Sequence, residues 1–170
     1  MTLKFQEIHP EQITDNVIHL IGKEWMLITA GTAERFNMMT ASWGGLGHLW
    51  NKPVAFVFVR PQRYTYPLLE EHAHFTLTFF AAQYREALNF CGTHSGRELD
   101  KVDATGLTPV VGITGAVYFA EARLVLECRK LYAQDLTAES FVDSQIITAS
   151  YQAGDFHRLY VGEIVHCLRQ

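Results

Sequence analysis

Phe36-Asn37-Met38-Met39-Thr40-Ala41-Ser42-Trp43-Gly44-Gly45, then Val54-Ala55-Phe56-Val57-Phe58-Val59, then Arg60-Pro61-Gln62-Arg63-Tyr64-Thr65-Tyr66 form the stretch on which the reading of this chain turns. The middle run is short, wholly apolar and bounded by Pro53 and Arg60-Pro61. Those flanks fit a strand buried on both faces better than a helix. The first run predicts a strand from Phe36 to Trp43, broken by Gly44, Gly45 and Gly47. Directly after the apolar run come two guanidinium groups and several hydroxyls. Arginines donate hydrogen bonds in a planar fork, and a helix beginning near Tyr64 would add backbone amides, so the segment suits an anion such as a phosphate. The same residues equally fit two surface arginines around a proline turn. In the first run, Asn37, Thr40 and Ser42 offer polar groups beside apolar Met38, Met39, Ala41 and Trp43, a mixture suited to the edge and face of a flat ring. Standing alone, that run also reads as a half-buried strand ending in a turn.

Outward from this stretch the pattern stays mainly β with short inserted helices. Trp25–Ala30 reads as a strand ended by Gly31. Phe75–Phe79 alternates and predicts one buried face, and Ala122–Leu131 and Phe156–Val165 are further strands, with Leu124, Leu126 and Cys128 on one face. Helices are expected over Tyr64–His72, over Gln83–Phe90 with Gly92 as its stop, and over Arg97–Ala104. The last takes Ser95 or Gly96 as N-cap and has Gly106 after its end. Antiparallel strands with helical insertions point to a β-barrel, and there is no G-x-G-x-x-G to suggest a dinucleotide fold.

The bulk properties bound the function. The chain has 170 residues and is 48% hydrophobic, which suits one domain spanning residues 1–170 with one core. A net charge of -4 supplies no basic field for a nucleic acid. No apolar run is long enough for a transmembrane helix, and Met1–Glu7 lacks the pattern of a leader. Cys91, Cys128 and Cys167 are widely spaced and read as free thiols in a reducing, cytoplasmic setting. Cys91, at the end of an apolar helix face, reads as a buried thiol rather than a nucleophile. His72 and His74 form the only close histidine pair, and nothing nearby completes a metal site.

Two later segments carry further chemistry. Ser95-Gly96 before a helix, with Lys101, is a second anion-ready element, or else a capped surface helix. Asp155 and His157 stand two apart and share a face if the strand is regular, while a turn at Gly154 would redirect Asp155. No serine or cysteine nucleophile motif accompanies them.

In series, Asn37–Gly44, Val59–Thr65, Cys91–Lys101 and Gly154–Ile164 resemble the flavin reductase-like family of FMN-binding split-barrel proteins. The resemblance runs from about Trp25 to Ile164. It implies a split β-barrel that binds FMN, usually as a homodimer with the flavin near the interface. It places Asn37, Met38, Met39, Thr40, Ala41, Ser42 and Trp43 along the flavin. It puts Arg60, Pro61, Gln62, Arg63, Tyr64 and Thr65 at the ribityl phosphate, with Ser95, Gly96 and Lys101 nearby. NAD(P)H-using members typically carry Gly-Asp-His before the last strand; here Phe156 intervenes between Asp155 and His157. That departure is closer to the flavoredoxin-like branch. The implied activity is FMN-dependent reduction of flavin or a small acceptor by NAD(P)H, with His157 on the nicotinamide side. The alternative is an FMN electron carrier serving a partner redox protein.

Overall fold

A computed structural model describes residues 4–170; of the leader reading, residues 1–3 lie outside the described part. The strands are β1 (Gln6–Glu7), β2 (Met26–Gly31), β3 (Phe36–Ala41), β4 (Gly44–Leu49), β5 (Lys52–Val59), β6 (His74–Phe79), β7 (Pro109–Val111), β8 (Val117–Phe119), β9 (Leu124–Asp135) and β10 (Arg158–Arg169). Around them lie the helices α1 (Val17–His19), α2 (Thr65–Glu71), α3 (Arg85–Thr93), α4 (Lys101–Thr105) and α5 (Ser144–Ser150).

The main sheet is antiparallel and runs β3-β2-β6-β9-β10-β5-β4, with β1 on β10 and a separate β7-β8 hairpin. Its two ends, β3 and β4, are consecutive in the chain, joined only through Ser42 and Trp43. So short a link forces the sheet to curl until its ends meet, which makes a barrel split at that seam. The period of two along each strand sorts side chains between two cores. Ile28, Val57, Phe75, Leu77, Leu126 and Tyr160 fill the barrel. Leu27, Met38, Leu88, Cys91, Phe119 and Val125 pack between the sheet and the outer helices. Leu124, Leu126 and Cys128 share the barrel face, as expected.

Several boundaries differ from the sequence reading, each for a physical reason. Gly44, Gly45 and Gly47 do not end the strand pattern; they belong to β4, paired residue by residue with β5. A side chain at Gly44 would come within 2.6 Å of the Phe56 carbonyl oxygen, so glycine is what lets the strands approach there. β5 buries only one face completely: Ala55, Val57 and Val59 are sealed, while Phe56 and Phe58 stay partly open. β6 buries both faces instead of one, because β8 covers the threonine side and Thr76 donates to the Val117 carbonyl. Gly92 lies inside the last turn of α3 rather than after it. α4 starts at Lys101, not Arg97, because Asp100 and not Ser95 or Gly96 accepts the first free amides, those of Val102 and Asp103. Gly106, at φ 69°, ends it in the left-handed conformation, as expected. The three cysteines are free and buried. Among the described residues no helix is long and apolar enough to cross a membrane, and no cluster of His, Cys, Asp and Glu is placed to hold a metal.

Candidate functional site

The split in the barrel opens onto a cleft. Its first part, about 190 Å³, is lined by Met39, Thr40, Ala41, Ser42 and Trp43 at the seam, Phe58 of β5, Arg60, Arg63 and His157. A second part of about 330 Å³ shares Met39 and Arg63 and continues along Asn37, Gln62, Tyr64, residues 92–98 and Lys101. The cleft is thus elongated, with Arg63 where the two parts meet. A larger recess of about 550 Å³ lies elsewhere, walled by Ile13, Val17, Leu46, Pro53 and two histidines, so size alone does not locate a site. What separates them is the arrangement of charge.

Arg60 and Arg63 flank one turn but are held differently. The Arg60 guanidinium is bound by the Asp155 carboxylate and donates to the Ser150 carbonyl at 2.9 Å. Gln62 reinforces this tie by donating to Asp155 at 2.8 Å. Arg63 has no side-chain hydrogen bond or ion pair among the described residues. Burial, and then the neighbouring Arg60 charge, pull its pKa below the usual arginine value. A half-buried guanidinium with no counter-charge is costly, and an anionic ligand would relieve that cost.

The second part of the cleft adds more donors. Lys101 is 4% exposed and donates to the carbonyls of Met38 at 2.9 Å and Cys91 at 2.8 Å, leaving its third N–H unused. Burial brings its pKa down to about 8, with Arg63 acting in the same direction. Ser95 accepts the Arg97 amide at 3.2 Å and keeps its own proton free to donate. A Cβ at Gly96 would sit 2.1 Å from the Asn37 amide oxygen and 3.0 Å from the Tyr64 ring, so any side chain there must displace Asn37. Asn37 is itself fixed, donating to the Thr65 hydroxyl at 2.8 Å in a buried pair.

At the opposite end, His157 is 9% exposed. Its Nδ1 lies 2.7 Å from the Tyr151 hydroxyl, and its ring is 5.2 Å from that of Trp43. Burial, and then Arg60, lower its pKa to about 4, so the imidazole is neutral at physiological pH. Phe156 stacks on Tyr151 at 4.8 Å, and Phe141 meets both rings. Gly154, at φ 69°, turns the chain so that Asp155 faces Arg60 and His157 faces Tyr151. The two therefore form no Asp–His pair.

The structure brings most of the expected residues together. Met39, Thr40, Ala41, Ser42, Trp43, Arg60, Arg63 and His157 line the first part; Asn37, Gln62, Tyr64, Ser95, Gly96 and Lys101 line the second. Three stand apart from both parts. The Met38 side chain packs in the outer core, and only its carbonyl reaches Lys101. Thr65 is sealed beneath Asn37. Pro61 is exposed at the turn. Arg60 lines the cleft but spends its charge on Asp155. Phe58, which lines the cleft, and Tyr151, which meets His157, are positions the sequence reading did not single out. Phe58 was hidden in an apolar run, and its partial exposure comes from strand pairing. Tyr151 directly follows α5, past its last residue Ser150, and no motif marks it.

The model of the flavin reductase like domain matches residues 18–170. The chain belongs to the flavin reductase-like family. Comparison with curated proteins finds no match. Among solved structures, the barrel resembles an FMN-binding protein from Thermus thermophilus with bound p-hydroxybenzaldehyde. That likeness has 24% identity and a TM-score of 0.69, covering 97% of this chain and 82% of that one. It also resembles a flavoredoxin from Methanosarcina acetivorans, with 23% identity and a TM-score of 0.68 over 96% of this chain and 76% of the other. A third likeness is to the NADH:FAD oxidoreductase SgcE6 of Streptomyces globisporus, at 20% identity and TM-score 0.64 over 86% and 75%. At these identities the likeness shows a shared fold, and this flavin reductase-like chain is a split β-barrel.

Proposed function

We propose that the cleft binds FMN and that the chain is an oxidoreductase taking reducing equivalents from NAD(P)H. The observation that carries this reading is Arg63, a half-buried cation without a partner at the midpoint of an elongated cleft. The donor set fits the cofactor. A phosphate meets Arg63, the free Ser95 hydroxyl and the remaining Lys101 N–H, and Gly96 keeps the approach open. A flat ring meets Met39, Thr40, Ala41, Ser42 and Trp43, with Phe58 as an apolar wall. Bound FMN supplies the ring that accepts and returns hydride or electrons; the protein supplies position and electrostatics. His157, neutral and at the far end from the phosphate donors, faces the substrate.

The FMN-binding protein and the flavoredoxin among the structural likenesses support the choice of flavin. The nicotinamide donor is supported by the NADH:FAD oxidoreductase likeness. The purified chain is expected to be yellow, to release FMN rather than FAD on denaturation, and to bleach anaerobically with NADH or NADPH. A colourless protein that takes up no FMN contradicts the cofactor assignment. Yellow protein that neither nicotinamide bleaches transfers the reading to an FMN electron carrier for a partner redox protein.

A homodimer belongs to the same proposal. Trp50, in the turn between β4 and β5, and Tyr132 of β9 are 53% and 43% exposed with ring centroids 6.1 Å apart, an aromatic patch that a second copy would cover. Light scattering at micromolar concentration should report twice the chain mass; a stable monomer contradicts it.

A further inference from the structure

The surroundings of His157 set the position of its proton as well as its charge. The Tyr151 hydroxyl and His157 Nδ1 are 2.7 Å apart and buried, and among the described residues the hydroxyl has no other hydrogen-bond partner. A buried phenol has one proton to place. Donated to Nδ1, it satisfies both groups. The reverse arrangement, with Nδ1–H donating to the phenol oxygen, strands the phenolic proton with no acceptor. The charged groups around the ring are Arg60, Asp155 and Arg63; together with burial they leave the imidazole neutral and its pKa at about 4. Burial also raises the Tyr151 pKa, against the nearby Arg60, so the phenol keeps its proton. A neutral imidazole that accepts at Nδ1 carries its proton on Nε2. Nε2 has no partner among the described residues, and His157 lines the cleft beside Trp43.

Tyr151 is itself braced. Its ring stacks on Phe156 at 4.8 Å and packs on Phe141 at 5.7 Å. The Arg60 guanidinium lies 5.3 Å over it while holding Asp155 and the Ser150 carbonyl. The excursion between β9 and β10, exposed along most of its length, thus contributes one buried, fixed phenol to the cleft.

We propose that Tyr151 is a positioning residue that fixes His157 as a hydrogen-bond donor at the cleft edge, and that the ring admitted there is a planar compound bearing a carboxamide or carbonyl oxygen. This rests on the flavin reading of the cleft. A fixed N–H donates to an oxygen lone pair and rejects an ammonium or a second N–H donor. The Arg60–Asp155 pair is internally neutralised and, with the FMN phosphate on Arg63, an uncharged ring is favoured.

The test uses nitrogen-15 NMR of the histidine rings in FMN-loaded wild type and Tyr151→Phe near neutral pH, with nicotinamide as the probe. The wild-type His157 should carry its proton on Nε2, and that proton signal should shift saturably with nicotinamide. Tyr151→Phe should show mixed tautomers and bind nicotinamide about five- to tenfold more weakly, the loss expected for one misdirected hydrogen bond, with FMN affinity within about twofold of wild type. A wild-type proton on Nδ1, or a variant with unchanged tautomer and unchanged nicotinamide affinity, overturns the positioning role. A wild-type Nε2 proton that does not respond to nicotinamide overturns the substrate class. Failure of the flavin reading is separate: it appears as no FMN uptake, and the tautomer in that same protein still decides the role of Tyr151.

Discussion

Arg60 and Arg63 stand three residues apart on one turn, yet the two ends of the cleft use them in opposite ways. Around His157, Arg60 is tied to Asp155, Gln62 supports the tie, and the imidazole is neutral. On the Lys101 side the charges are left over: among the described residues Arg63 has no side-chain partner, and Lys101 has only neutral carbonyls. On the proposed reading, the Lys101 end is the one that takes the anion. A closed charge network supplies rigidity and shape, whereas an open one supplies binding energy to whatever neutralises it.

The comparison breaks most visibly at Arg63. Arg63→Ala should weaken FMN binding by on the order of 2–3 kcal/mol, about 30- to 150-fold. Arg60→Ala should act mainly by freeing Asp155 and loosening the Tyr151 brace, with a much smaller change in FMN affinity. Calorimetric titration of both variants decides this, and equal losses would erase the distinction between the two ends. Next in size is Gly96→Ala. The new methyl must displace the buried Asn37 amide, an overpacking that costs about 1–3 kcal/mol, so FMN affinity should fall by about tenfold with the fold intact by circular dichroism.

Proton linkage gives a smaller and sharper contrast. Lys101 is charged below about pH 8 and loses its charge above it. A phosphate monoester is already mainly a dianion by pH 7, its second pKa being about 6. FMN affinity should therefore drop severalfold as pH rises from 7 to 9, and Lys101→Met should flatten that drop. The smallest effect on FMN affinity belongs to His157, whose contribution is to stability. Its folded pKa is depressed from 6.5 to about 4, so between those values the unfolded chain binds the proton and the folded one does not. Stability should therefore fall as pH drops from 6.5 towards 4, less steeply in His157→Ala by urea titration. FMN affinity of that variant should stay within about twofold of wild type. Reduction by NAD(P)H at matched flavin loading should be slower.

How far the sequence reached follows the range of the forces involved. Strands β2, β5 and β6 were legible because runs such as Met26–Ala30 and Val54–Val59 carry their apolar signal locally. β4 was not, because Gly44, Gly45 and Gly47 have no propensity for a strand and are held only by pairing to β5. That Met39–Trp43 and Arg63 line one cleft agrees with the grouping the family resemblance implied; on its own residues, Asn37–Trp43 read equally as a half-buried strand. The employment of Arg60 was not legible, since its partner Asp155 lies 95 residues away. Tyr151 was hidden for a different reason: its partner His157 is only six residues on, but the two face each other only across the turn at Gly154, and nothing in Ser150-Tyr151-Gln152 announces that.

The central claim, that Arg63 marks the phosphate end of a flavin site, is tested most directly by a thermodynamic cycle with two ligands. Wild type and Arg63→Ala are each titrated with FMN and with riboflavin, which lacks the phosphate. The account predicts that wild type prefers FMN by at least about 30-fold and that Arg63→Ala loses most of that preference while its riboflavin affinity stays near wild type. Equal wild-type affinity for FMN and riboflavin, or a phosphate preference that survives in Arg63→Ala, would contradict it.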